Sequence, residues 1–152
     1  ALYRAVINAS TMARNPENRP LIAKVISPQN YLNQPETVVM QVLTGKFADG
    51  LGNVQNVPDR IDFNPIPWYS MATWMLTQMQ RWGYVKGDVN YKDISEKVFL
   101  LTDAKKYMQE TNAPITAQAK ASTGNPKFKI MGKEFDPGTA AAYSKSFAIS
   151  KG

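Results

Sequence analysis

Chemistry at neutral pH usually draws on an imidazole, a thiolate or matched carboxylates, and this 152-residue chain has neither histidine nor cysteine. That leaves Asp49, Asp59 and Asp62, three carboxylates in one irregular loop, as candidates for acid/base or calcium chemistry. Their spacing fits no twelve-residue calcium loop, and aspartates set among Gly50, Gly52, Asn53 and Asn56 are ordinary turn formers. Turn capping is the expected role. Gly50-Leu51-Gly52 is a pair of turn glycines, not a strand-bounded dinucleotide fingerprint. Serine and threonine hydroxyls have no histidine to activate them; a Ser/Lys pair stays open, with nothing pointing to one. Lys105-Lys106 and the group Lys127, Lys129, Lys133 could attract an anion, although lysines on a solvated face are the commoner explanation. No catalytic, cofactor or metal residues emerge, so the expectation is a protein that is not an enzyme.

The heaviest pattern in the chain is apolar. All three tryptophans fall in Pro65–Tyr84, and Trp68, Met71, Met75, Met79 and Trp82 follow one another by three or four residues. That spacing predicts a helix with one apolar face, Pro67 in its first turn and Gly83 as a left-handed stop. The face reads as structural core rather than as a platform for a sugar or cofactor, because helical spacing is what a buried face produces. On that reading Trp82→Ala costs about 3–5 kcal/mol. Trp74 lies off the stripe and is the tryptophan expected to meet another surface.

The elements that would position these residues are mostly helical. Leu2–Ala13, Leu21–Ile26, a segment after Asn33-Gln34-Pro35-Glu36, Tyr91–Phe99 and Ala104–Glu110 all carry helical periodicity. The faces expected to point inward are Leu21, Ile22, Val25 and Ile26, then Val38, Val39, Val42 and Leu43, then Ile94 and Val98. Asn90 and Asp136 read as helix caps. Lys46–Asn64 reads as a long irregular segment. Lys127–Phe135 alternates as a small hairpin turning near Gly132, and 146–149 as a final strand or docked tail. The expected organisation is a helical part over 1–110, a linker over 111–126, and a hairpin with a short helical tail over 127–152.

Composition describes a globular chain, with 43% apolar and 20% charged residues. The net charge of +6 is diffuse, without the dense basic stripe of a nucleic-acid face. No run approaches the length of a membrane span. The chain opens Ala-Leu-Tyr-Arg-Ala-Val-Ile, already helical in pattern and without an initiating Met, as a piece of something longer would.

Four ordered stretches carry a resemblance. They are Asn15-Pro16-Glu17-Asn18-Arg19-Pro20 running on to Ser27, Gly45-Lys46-Phe47 with Gly50-Leu51-Gly52, Trp74 through Gly83, and Phe135-Asp136-Pro137 with Tyr143 through Ile149. In that order they resemble the C-terminal part of the cyanobacterial nitrate- and bicarbonate-binding lipoproteins of ABC transporters (the NrtA/CmpA type), across essentially the whole chain. The resemblance implies an α/β parent fold, the periplasmic binding protein-like type II clamp of two lobes. This fragment of it would be predominantly α-helical, with a small hairpin near the C-terminus. It implies a lipoprotein at the periplasmic face of the inner membrane, touching the membrane only through the parent's anchor. Such a protein captures nitrate or bicarbonate for an ABC permease and its ATPase subunits. The anion contacts are expected upstream of Ala1, so no ligand-binding residue is carried over, and this piece is expected to brace the lobes.

Two other readings compete. The same module is also fused to one ATPase subunit of these transporters as a cytoplasmic, anion-sensing regulatory domain; the tail through Ile149 favours the free binding protein. A small basic nucleic-acid-binding protein is the remote reading, resting only on charge and aromatics, and it would show steeply salt-dependent binding.

Overall fold

The computed structural model describes residues 1–113 and 117–148. The chain divides into two compact units, Ala1–Pro65 and Ile66–Gly152. The division after Pro65 departs from the expected organisation, which put its linker at 111–126. Within that stretch a short helix forms and Ala119 is fully buried. Of the stretch 146–149, expected as a final strand or docked tail, Ser146, Phe147 and Ala148 form no strand, Phe147 packs on the aromatic cluster, and Ile149 lies outside the described residues.

The first unit has three helices and a hairpin: α1 (Leu2–Arg14), α2 (Arg19–Ile26), α3 (Glu36–Thr44), β1 (Lys46–Ala48) and β2 (Val54–Asn56). Asn15 ends α1, and its side chain accepts from the Glu17 amide, turning the chain through a 3₁₀ turn at Pro16–Asn18 into α2. Pro20 sits in the first turn of α2, where a missing N–H costs nothing. Ala23, Val39 and Leu43 form the buried centre, with Ile22, Ile26, Met40 and Phe63 packed on it. The expected inward faces were therefore only half right: Leu21, Val25, Val38 and Val42 are exposed. Each of those faces was drawn too wide, and only the rows aimed at the neighbouring helix are covered.

The irregular segment expected over Lys46–Asn64 contains an antiparallel hairpin that was not foreseen, β1 pairing with β2 so that Phe47 stands opposite Gln55. Its second strand is exposed throughout, so no alternation marks it, whereas β3 alternates. The Arg60 guanidinium lies over the Phe47 ring, 4.3 Å from its centre.

The second unit comprises α4 (Tyr69–Arg81), α5 (Tyr91–Val98), α6 (Leu101–Glu110), α7 (Ala117–Ala121), β3 (Phe128–Ile130), β4 (Lys133–Phe135) and α8 (Ala140–Lys145). The hairpin forms as read, β3 antiparallel to β4 around Met131 and Gly132, both at positive φ as a tight primed turn requires. Asn90 caps α5 by accepting from the Asp93 amide, and Asp136 accepts from the Gly138 amide before α8. Gly83 is left-handed as expected, with φ +75°. Phe135 is fully buried with Ala140 and Tyr143, and Trp74, Tyr91, Phe128, Ile130 and Phe147 close around them. Val98, expected inward on α5, is exposed, and Ser95 takes the buried position instead.

The central helix forms, but the structure reverses its faces. Met71, Met75, Met79 and Trp82 are 39–47% exposed, and Trp68 caps the helix half-buried rather than sitting in a core. Pro67 lies just outside the helix. The buried row is Ser70, Thr73, Thr77 and Arg81 with Ala72. It has the same three-and-four spacing on the opposite side, so periodicity marked an axis without saying which face packs. The small inward residues admit close approach, and the Thr73 and Ser95 hydroxyls meet at 2.9 Å between α4 and α5. Trp74 contributes an indole N–H to the Tyr143 hydroxyl at 3.4 Å. Trp82→Ala is accordingly expected to cost roughly 1 kcal/mol or less in denaturant melts, as partly exposed substitutions do. A loss above about 3 kcal/mol would place Trp82 back in a core.

Candidate functional site

The three loop carboxylates do not converge on one ion. Asp49 closes the β1–β2 hairpin: it accepts from the amides of Leu51 at 2.8 Å and Asn53 at 3.1 Å, and from the side chains of Asn53 and Gln55. The Leu51 amide, with help from Gln55 and Asn53, pulls the Asp49 carboxyl down to about 2. A carboxylate depressed on folding contributes stability that is present above its unfolded value of 3.8 and is lost as pH falls through about 2. An NMR titration is expected to give Asp49 a midpoint near 2, with the Leu51 and Asn53 amide shifts moving in step. A midpoint at 3.8 would show the network unformed. Turn capping, expected for Asp49, is what its contacts supply.

Asp62 pairs with the Arg14 guanidinium at 3.3 Å. Both line an open cleft of about 490 Å³ with Arg19, Asp59 and Phe63. Two cations facing two carboxylates leave that cleft electrically balanced. Among the described residues no three acidic side chains gather closely enough to hold a metal ion.

The lysines likewise do separate structural work. Lys105 donates to the Ser122 carbonyl at 2.9 Å. Lys127 pairs with Asp136 at 2.5 Å, an ion pair that raises the lysine and lowers the carboxyl. Lys133 donates to the Ser146 carbonyl and lies over the Phe147 ring, while Lys129 stands opposite Glu134 in the hairpin. Lys105, Lys127 and Lys133 are thus each committed to a partner within the chain.

The best-equipped cleft lies in the second unit and was not foreseen. It measures about 260 Å³ and is lined by Gln80, Arg81, Asp88, Tyr91, Ser144 and Lys145 among others. The Tyr91 hydroxyl donates to the Gln80 side chain, and burial pushes the phenol up against the opposing pull of the Ser144 hydroxyl. Arg81, nearly buried, donates to Gln78 at 3.1 Å and lies over the rings of Trp82 and Phe147, at 4.8 and 4.1 Å. Held between two rings, the guanidinium serves to pin α4 to the chain after α8. The cleft offers hydrogen bonds to a small polar molecule, and the Ser144 hydroxyl in its wall donates to the Ala141 carbonyl at 3.1 Å. Of its lining only Arg81 belongs to the buried row of α4, and no local sequence pattern joins that residue to Asp88, Tyr91 and Ser144.

No protein-family model matches the chain. The nitrate/nitrite binding protein NrtA of Nostoc sp. (strain PCC 7120) is 29% identical over 159 residues, covering 99% of this chain and 36% of that protein. NrtA of Synechocystis sp. (strain PCC 6803), also a nitrate/nitrite binding protein, is 24% identical over 98% of this chain and 35% of its own length. The crystal structure of the periplasmic nitrate-binding protein NrtA from Synechocystis PCC 6803 aligns with a TM-score of 0.86 at 24% identity. That alignment covers 97% of this chain and 40% of the other. The chain therefore resembles NrtA along its whole length and shares the fold of one part of it, helix-rich with small antiparallel hairpins. It spans about a third of the length of these curated relatives.

Proposed function

We propose that the chain is the C-terminal portion of a periplasmic solute-binding protein that captures nitrate or nitrite for an ABC importer. In this reading the chain braces the two lobes of the clamp and does not itself form the anion site. One observation carries the proposal: similarity to a nitrate/nitrite binding protein runs through 99% of the chain rather than through an isolated motif. The geometry fits, since Lys127 and Lys133 of the β3–β4 hairpin, and Lys105 of α6, are each engaged in a structural contact. The partners assigned are the permease and ATPase subunits of the importer, with a lipid anchor on the parent as its attachment to the membrane. Nitrate and nitrite take precedence over bicarbonate because both similar sequences are named for them. No catalytic step is assigned.

Calorimetry on the full-length polypeptide that carries this chain tests the proposal. Nitrate is expected to bind the full-length protein, and an Arg14→Ala or Lys127→Ala substitution is expected to leave its affinity within about twofold, because neither residue belongs to the anion site. Failure of nitrate, nitrite and bicarbonate alike to bind would end the reading.

A further inference from the structure

We infer that Asp49-Gly50 is the chain's site of spontaneous aspartate isomerisation, and that the hydrogen bonds converging on the Asp49 carboxylate hold that reaction in check. It holds whichever solute the protein carries.

No other aspartate or asparagine in the chain is followed by glycine. Glycine matters because the reaction is an attack by the following amide nitrogen, which a side chain on that residue obstructs. Gly50 is exposed at φ +77°, and a Cβ there would meet nothing within 4 Å, so the turn around the nucleophile is open. The Gly50 nitrogen bonds to the side-chain carbonyl carbon of Asp49, and the carboxyl hydroxyl leaves as water with the amide proton, closing a succinimide ring. Water then opens the ring at either carbonyl. Opening at the side-chain carbonyl restores aspartate. Opening at the main-chain carbonyl leaves the backbone running through the side chain, longer by a methylene, as isoaspartate. Water is expelled and taken up again, so the change is an isomerisation that needs no other reagent.

The hairpin opposes this at the carboxyl. Oδ1 of Asp49 accepts from the amides of Leu51 at 2.8 Å and Asn53 at 3.1 Å. Oδ2 accepts from the side-chain amides of Asn53 at 3.1 Å and Gln55 at 3.0 Å. Ring closure requires the carboxyl to turn back onto the Gly50 nitrogen and to give up an oxygen as water, so these donors must first be released. They also favour the ionised carboxylate, whose oxygen is a poor leaving group. The reaction is therefore routed through local opening of the hairpin, and its rate follows the open fraction. Once formed, isoaspartate does not restore the β1–β2 register, because the added methylene lengthens the turn that sets it.

The full-length polypeptide that carries this chain is incubated at neutral pH, native and in guanidinium chloride. The aspartate and isoaspartate forms of the peptide containing Asp49 are separated and quantified by mass spectrometry. Isoaspartate is expected to accumulate at least about tenfold more slowly in the native protein, as an open fraction of about a tenth or less dictates. In guanidinium Asp49 is expected to isomerise before any other aspartate, and in water labelled with heavy oxygen its product gains a single label. Gln55→Ala withdraws one donor from an exposed position and is expected to raise the native rate about threefold or more, leaving the denatured rate unchanged. Equal native and denatured rates, or a faster aspartate elsewhere, overturn the inference. So does an unchanged native rate in Gln55→Ala while the Val57 amide stays protected from exchange. If Val57 is unprotected, the variant has lost the hairpin itself, and the native-to-denatured ratio of the unsubstituted protein decides.

Discussion

Phe135→Ala is expected to remove about 3–5 kcal/mol of stability from the second unit, the largest loss for any single side chain in it. Phe135 is wholly buried at the end of β4, and its ring is held on two sides. The Phe128 ring lies 5.3 Å away at a tilt, and the Tyr143 ring meets it edge-on at 4.9 Å. Tyr143 in turn meets Phe147 edge-on at 5.2 Å, so one ring ties the hairpin to α8 and to the chain beyond it. Truncation leaves a cavity that the hairpin is poorly able to fill, since β3 and β4 are three residues each and are bonded to each other alone. The measurement is a urea melt followed by near-UV circular dichroism, which reports the packed rings. A loss below about 1 kcal/mol would mean that the hairpin is not anchored through this ring. Paired with the small loss expected for Trp82→Ala, the experiment ranks the two candidate centres of the unit against each other.

That ranking is where the sequence misleads. The helix itself was legible from Trp68 to Gly83, and so were its stop, the Asn90 and Asp136 caps and the hairpin at Gly132, because each depends on a few adjacent residues. Which face packs is decided elsewhere. Thr73 is turned inward by the Ser95 hydroxyl and Ser70 by the Gly124 carbonyl that its amide meets, partners that lie well beyond any local window of the sequence. Hydrophobicity alone ranks methionine and tryptophan above serine and threonine for burial, and the ranking fails where small hydroxylated residues let a neighbouring helix approach and pair with it. Leu21, Val25, Val38 and Val42 show the same failure, being apolar residues outside the rows that α2 and α3 turn toward each other.

The candidate sites divide in a similar way. Asp49 was legible as a turn former because its partners, Leu51, Asn53 and Gln55, lie within six residues. The cleft around Tyr91 and Arg81 was not, because it is assembled from α4, α5 and α8, which no local pattern joins. Similarity to NrtA, by contrast, was spread through short stretches over the whole chain, which is why ordered fragments carried it when no single motif did.

Gly45→Ala is expected to cost about 3 kcal/mol in the first unit, for two reasons that a second substitution separates. Gly45 ends α3 with φ +70°, a conformation in which an L side chain is strained by about 1–2 kcal/mol. A Cβ there would also lie 1.8 Å from the Val57 carbonyl oxygen and 2.5 Å from its carbon, both backbone atoms that have no rotamer to yield. Relief requires the base of the β1–β2 hairpin to open, losing the 2.8 Å hydrogen bond from the Val57 amide to the Gly45 carbonyl, about 1 kcal/mol more. Gly50, at φ +77° in the turn of the same hairpin, has nothing within 4 Å of its would-be Cβ. Gly50→Ala therefore carries the conformational strain without the collision, about 1–2 kcal/mol. Denaturant melts of the two variants, with hydrogen exchange at the Val57 amide, give the comparison: Gly45→Ala must lose more and must speed Val57 exchange, while Gly50→Ala leaves that amide protected. Equal losses would show that α3 and the hairpin do not meet as closely as the Gly45–Val57 approach requires.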